Sequence, residues 1–160
     1  MMKKLNVLKI VKIKVMNKYI YFTISEIFRT CNNDEILQCI SNNYLDRLLL
    51  LVDVLEAFRE EIGCPIYVTS SFRSPEHNER VGGSSTSQHL CGEAIDFVVA
   101  GLFFDDVVCR FKSFIKKCSL REGLGQVIFY YDKKFIHLAL SAPSHPKLQF
   151  YEKGNFKDNH

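Results

Sequence analysis

From Asn43 onward apolar residues recur at helical spacing. Tyr44, Leu48, Leu51, Leu55 and Phe58 share one face, Asp46 sits in the first turn, and Gly63 marks the stop. The period then changes. "PIYVTS" alternates, which predicts a strand with Ile66 and Val68 on one side. "SPEHNERVGG" predicts a Ser74 cap, Pro75 at the first helical position and a short helix stopped by Gly82-Gly83. "AIDFVV" predicts a second, more buried strand. Phe104, Val107, Val108, Phe111, Phe114, Ile115 and Cys118 then mark an amphipathic helix, with Lys116 and Lys117 favourable at its C-terminal end. "GQVIFYY" and "FIHLAL", joined by "DKK", predict a hairpin. Near the start, Thr23 is placed to cap a short helix containing Glu26, and from Ser141 the chain reads as loop, with Pro143 and Pro146. Hairpin strands with partly segregated helices predict an α+β fold built on an antiparallel sheet.

Length and composition narrow this picture. A chain of 160 residues holds one domain with a real core and little of a second. Its 47% hydrophobic and 24% charged residues are those of a globular protein. The net charge of +3 is too small to argue for a nucleic-acid partner, and the first eighteen residues alone carry six lysines and no acid. A chain begun at Met16 would lose five of those lysines and carry −2. Lys9, Lys12 and Lys14 interrupt every apolar run of the leader, which argues against a secretion signal. Residues 1–18 are therefore expected to be a disordered basic extension or the result of an early start codon. The domain is expected over 19–150, with a tail over 151–160. No stretch approaches the length of a membrane span, so no membrane partner is expected. The six cysteines form no Cys-x-x-Cys pair; reduced thiols in a cytoplasm at synthesis are the expectation, with Cys109 and Cys118 on an apolar helix face. A monomer is expected.

The candidate chemistry centres on "SQHLCGEAIDF", Ser87 to Phe97. His89, Asp96 and, further on, His137 fall at or beside strands. Two imidazoles and one carboxylate suit zinc and leave a fourth position open. Gly92 would let the backbone turn between the first two, and Ala94 would let the chain pass close by. Spacing alone leaves the other reading open, in which these are buried polar groups that are simply hydrogen-bonded.

The whole stretch is recognisable. "SQHLCGEAID" resembles the Ser-x-His-x-x-Gly-x-Ala-x-Asp signature of the zinc D-Ala-D-Ala carboxypeptidase family, which includes L-alanyl-D-glutamate endopeptidases of phage endolysins and shares its fold with the Hedgehog signalling domain. Upstream, "VTSSFRSPEHNERVGGSSTSQH" resembles the family's strand, Arg-Ser turn and Gly-Gly-Ser segment. Downstream, "FIHLAL" resembles the strand bearing the last zinc histidine, and "YFTISEIFRT" resembles the opening of the small phage-like variety.

The resemblance implies a Hedgehog/DD-peptidase-like α+β fold, with helices packed on a central antiparallel sheet. It implies Zn2+ held by His89, Asp96 and His137, and Arg73 as the residue that holds substrate and stabilises the oxyanion. Ser87 and Gln88 would shape the loop or line the pocket, and Tyr130 would donate to the oxyanion. Glu93 is read as surface charge, Glu76 and His77 as solvated, and His145 and His160 as tail residues outside the chemistry.

The pattern departs from the family at the general base. The position three before His137, where many members carry a carboxylate, holds Lys134, and "QVIFYY" offers Tyr130 or Tyr131 where an acid is expected in the small variety. Asp132 is the nearest acid and the candidate base, with a turn residue as its plain alternative. Two readings follow. One is a metallopeptidase cutting peptidoglycan stem peptides, as a D-Ala-D-Ala carboxypeptidase or an L-Ala-D-Glu endopeptidase. It would be made in the cytoplasm and act at the wall, a placement that fits a phage protein or an endolysin-like enzyme reaching the wall with outside help. The other is a degenerate member that keeps zinc and binds wall peptide or a protein without efficient turnover.

Overall fold

The structure is a computed structural model that describes residues 9, 11–13 and 15–154. In chain order its elements are α1 (Ile24–Ile27), α2 (Asn33–Ser41), α3 (Leu45–Ile62), β1 (Ile66–Ser70), α4 (Pro75–Arg80), β2 (Ala94–Val99), α5 (Phe104–Lys117), β3 (Leu124–Tyr130), β4 (Phe135–Leu140) and β5 (Gln149–Lys153). Single 3-10 turns at Gln88–Cys91 and Ser119–Gly123 lead into β2 and β3. The class is α+β, as the pattern predicts, with a five-stranded sheet in the order β1-β2-β4-β3-β5.

Four of the strands are antiparallel, and the β3–β4 hairpin closes at Tyr130↔Phe135. The fifth departs from the expected antiparallel sheet: β5 lies parallel to β3, from Gln126↔Gln149 to Tyr130↔Lys153. It occupies the stretch expected to be loop and tail, so the folded domain runs past residue 150. Its five residues are all exposed, so it carries no burial alternation. A second element that the sequence reading lacks is α2. It starts with a reciprocal capping box, in which the Asn32 side chain accepts from Glu35 N–H and the Glu35 carboxylate accepts from Asn32 N–H.

One face of the sheet is the core. Val68, Phe97, Ile95, Ile136, Leu138, Val127 and Phe129 point from it toward α3 and α5. Phe58 on α3 meets Phe97, Phe111 and Phe114 with ring centroids 6.5, 4.8 and 5.1 Å away. Burying such rings is the main stabilising term of a domain this size. α3 ends where Gly63 takes a left-handed φ of 69°, a conformation that glycine adopts without strain.

Of the leader, residues 1–8, 10 and 14 lie outside the described residues, as do 155–160, including His160. Of the described leader residues, 9, 11–13, 15 and 16 are helical and 17–18 form a turn, and Val11 and Val15 are buried in the core. Over those residues a packed segment replaces the expected disorder. Among the described residues no helix is long and apolar enough to cross a membrane. Cys39 is fully buried, and burial pushes its thiol up to about 12 and that of Cys31 up to about 11. Cys109, expected on an apolar face, is exposed instead.

Candidate metal centre

The opposite face of the sheet carries the polar cluster. Strand alternation turns Asp96 away from its core-facing neighbours Ile95 and Phe97, and the register sets it directly across from His137. On the other side β1 would present the wrong residue if it ran regularly. An extra residue, Thr69, opens a bulge between Val68 and Ser70, so that Ser70 rather than Thr69 lies opposite Asp96. Bulges re-aim side chains in this way.

His89 arrives from the 3-10 turn. Ser87 caps that turn, with its Oγ accepting from His89 N–H, and Gly92 closes it at φ 65°. A side chain at Gly92 would also meet the Tyr44 carbonyl oxygen at 2.8 Å, so glycine is required there on both counts. The turn is tied to the segment after β1 by two bonds. His89 Nδ1 lies 2.6 Å from the Ser71 carbonyl, and Arg73 N–H donates to the His89 carbonyl at 3.0 Å. A carbonyl only accepts, so Nδ1 carries the proton and Nε2 presents its lone pair to the cluster.

Three atoms converge there. Asp96 Oδ1 lies 2.7 Å from His137 Nδ1 and 3.3 Å from His89 Nε2. Ligand atoms of His89, Asp96 and His137 lie within 4.8 Å of one another, and no other carboxylate or thiol among the described residues joins them. A tetrahedral ion with bonds of about 2.0–2.1 Å spaces its ligands by about 3.3 Å. Two neutral-imidazole nitrogens and a carboxylate oxygen at this spacing fit zinc; without an ion, the shorter contact is an ordinary hydrogen bond from His137. Without an ion, burial works to raise the Asp96 carboxyl, but hydrogen bonds from His137 and His89, with the positive charge these rings carry when protonated, overcome it and leave it far below the usual carboxylate range. His137 is the least buried of the three, so the cluster opens on the β4 side.

Arg73 completes the arrangement. Its Nη2 lies 3.3 Å from Asp96 Oδ2, the oxygen turned away from the histidines, and its Nε donates to Ser70 Oγ at 2.9 Å. The other expected site residues are placed differently. Ser87 serves as the turn's cap, and Gln88 Nε2 donates to the Leu140 carbonyl at 2.9 Å, so both brace the loop from the chain's own backbone. Tyr130 shares the His137 face, since Ile128 pairs with His137 and Tyr130 follows two residues on. Its ring stacks on Phe135 at 4.3 Å, with the Lys153 ammonium 5.4 Å from its centroid.

Asp132 is not brought to the cluster. It lies in the hairpin turn beyond the Tyr130–Phe135 pair, against Gly154, where an added Cβ would stand 2.9 Å from Asp132 Cγ. At about 3.3 Å per residue that is roughly 10 Å along the strand from His137. Glu93 is held by Arg47 at 2.9 Å, in keeping with its reading as a surface charge.

His77 corrects an expectation outright: it is buried, not solvated. Its Nδ1 lies 2.8 Å from Glu35 Oε1, which also accepts from Ser74 Oγ at 3.0 Å. This clamp joins the start of α2 to the start of α4, the helix that follows Arg73. No local signal could reveal it, because the partners lie some forty residues apart; the Asn32-x-x-Glu35 capping pattern, which the reading passed over, marks only the start of α2. Burial works to raise the Glu35 carboxyl, but bonds from Asn32 N–H, His77 and Ser74 leave it lowered. Its stabilising contribution is thus full above the unfolded value of about 4.3 and lost as pH falls through the lower folded value. Glu35→Gln is expected to cost about 1–3 kcal/mol at pH 7. In urea unfolding the gap from the wild type should narrow at pH 3; a gap that stays constant would remove the ionised clamp.

Comparison with known proteins agrees with this arrangement. No curated protein matches the chain. The family description "Peptidase M15" matches residues 20–139, three quarters of the chain and the segment that contains Arg73, His89, Asp96 and His137. The chain belongs to the Peptidase M15 family.

Proposed function

We propose that the chain is a zinc-dependent hydrolase of peptidoglycan stem peptides. The observation that carries this reading is the convergence of His89 Nε2, Asp96 Oδ1 and His137 Nδ1 beside a guanidinium, in a chain of a peptidase family. Zinc in such a site supplies Lewis-acid polarisation and makes water nucleophilic near neutral pH. The rest is the work of the chain. Ser71 fixes the His89 tautomer. Asp96 divides its two oxygens between the histidines and Arg73. Arg73, with donors to spare, is placed to receive the negative charge that develops on a scissile carbonyl oxygen. The sheet face beside His137, with the Tyr130–Phe135 stack, would carry the peptide. The bond cut would be D-Ala-D-Ala at the stem terminus or an L-Ala-D-Glu-type bond within it. A phage-encoded protein released to the wall is the setting we favour.

The second reading is a zinc-retaining binder of wall peptide or protein. It is favoured by one observation: among the described residues no carboxylate besides Asp96 stands in the cluster, and Asp132 sits in the hairpin turn. Mass spectrometry of peptidoglycan fragments after incubation with the protein decides between the two, with His89→Ala as control. Release of D-alanine or of new amino termini, absent from the control, is the expected result. Stoichiometric zinc without either product would favour the binder. In the same assay, undiminished turnover by Asp132→Ala would exclude Asp132 as the proton carrier.

A further inference from the structure

The segment "NERVGGSS", which ends α4 and leads toward the His89 turn, has no part in the chemistry above, yet its first residue touches the machinery. Asn78 is buried, at 4% exposure, and its side-chain amide faces two ways. Its Nδ2 donates to the Ser84 carbonyl at 2.9 Å, and its Oδ1 lies 3.5 Å from Arg73 Nη1. The partners fix which end of the amide is which, since a carbonyl needs a donor and a guanidinium needs an acceptor. The Asn78 backbone carbonyl also accepts from Gly83 N–H at 2.8 Å, which wraps the loop over the amide. A Cβ on Gly83 would stand 2.7 Å from Asn78 Cγ and closer still to Oδ1, so the loop lies directly on the amide.

Seen from Arg73, each of the three guanidinium nitrogens faces a different acceptor. Nε has Ser70 Oγ from β1, Nη1 has Asn78 Oδ1 from α4, and Nη2 has Asp96 Oδ2 from β2. Those contacts engage three of its five N–H groups and leave two for a ligand. A planar fork held on three sides keeps one orientation; released on one side it can turn about its last bonds. The clamp from Glu35 to Ser74 and His77 holds the N-terminus of α4, and thereby the height from which Asn78 projects.

We propose that Asn78 is a positioning residue for Arg73, coupling the Gly82–Thr86 loop to the guanidinium that orients Asp96 and faces the substrate. This deepens the proposed function and rests on it for the role of Arg73. The test is a double-mutant cycle on the full chain. Asn78→Ala is expected to lower zinc affinity, measured by chelator competition, and peptidoglycan turnover by about 10–100-fold, the range for residues that orient a site from behind. On an Arg73→Ala background the same substitution should cost no more than about two-fold, because coupled residues do not add. Asn78→Asp keeps an acceptor for Arg73 while losing the donor to Ser84, and should retain most of the affinity. Gly83→Ala keeps Asn78 but pushes on its amide, and should reproduce part of the loss if Asn78→Ala folds poorly.

A readout free of metal and substrate is the Arg73 Nε–H resonance in a nitrogen-labelled sample, assigned by its disappearance in Arg73→Lys. It should be resolved and slow to exchange in the wild type, and should shift and exchange faster in Asn78→Ala. An unchanged Arg73 resonance in Asn78→Ala, or equal losses with and without Arg73, would overturn the inference. A wild type that holds zinc but cuts no wall peptide would overturn the proposed function alone, with the affinity and resonance measurements still deciding for Asn78.

Discussion

Replacing His89 by alanine is expected to strip the chain of its metal and to lower hydrolysis by about 10³-fold or more, the equivalent of about 4 kcal/mol of lost transition-state stabilisation. The expectation rests on how little slack this residue has. His89 is 2% exposed, is tethered through Nδ1 to the Ser71 carbonyl, and contributes the only nitrogen of its turn that faces the cluster. Two remaining ligands, one of them a half-buried histidine on β4, do not enclose an ion. No neighbour can replace it: Cys91 is outside the cluster, and Glu93 is engaged by Arg47. The measurement is zinc per mole of dialysed protein together with kcat/KM on purified stem peptide. Full zinc retention by His89→Ala would show that the three residues are a hydrogen-bonded polar group and nothing more. Far-UV circular dichroism should match that of the metal-free wild type, because the substitution touches neither the sheet register nor the core.

The parts of the candidate metal centre are legible in the chain because they obey local rules. A turn that needs Gly92, a strand that alternates around Asp96 and a hairpin strand that bears His137 are each visible within ten residues. What joins them is not local. The pairing of Asp96 with His137 spans 41 positions, and the contact of Arg73 with Asp96 spans 23. Residue type grouped Asp96 with His137 and the resemblance to a known signature made that grouping specific, whereas the contact of Arg73 with Asp96 was not foreseen. The bulge at Thr69 could not be read at all, since "PIYVTS" alternates as a regular strand would, and yet the bulge brings Ser70 to Arg73. β5 escaped notice because an edge strand exposed along its whole length shows no hydrophobic period, and its flanking prolines read as loop. His77 was misread for a related reason: a histidine on a short polar helix is usually solvated, and its burial depends on Glu35 from a helix that was itself not read. The missing base is a different case. Nothing at Lys134, Tyr130 or Tyr131 supplies a carboxylate, and among the described residues folding brings no second one to the cluster.

Phe58→Ala is expected to destabilise the protein by about 3–5 kcal/mol, a large share of the 5–15 kcal/mol that holds a typical domain together. Phe58 is 1% exposed and touches three other rings, one on β2 and two on α5, so its removal opens a cavity that no single neighbour can fill. The consequence reaches the site through β2. Phe97 stands on Phe58 from the core face, while Asp96, one residue before it, faces the histidines, so the same strand carries both loads. Packing under Phe97 thus holds the height of Asp96 against His137. Linkage separates loss of fold from loss of site. If zinc binds only the folded chain, zinc at about 1,000 times its Kd restores about 4 kcal/mol, enough to return most of what the cavity removes. Urea unfolding followed by far-UV circular dichroism, with and without zinc, measures both quantities, and the chain has no tryptophan to complicate the choice of probe. A loss below 1 kcal/mol would mean that the aromatic cluster does not carry the sheet. A large loss that zinc fails to offset would mean that β2 no longer presents Asp96 once the ring beneath it is gone.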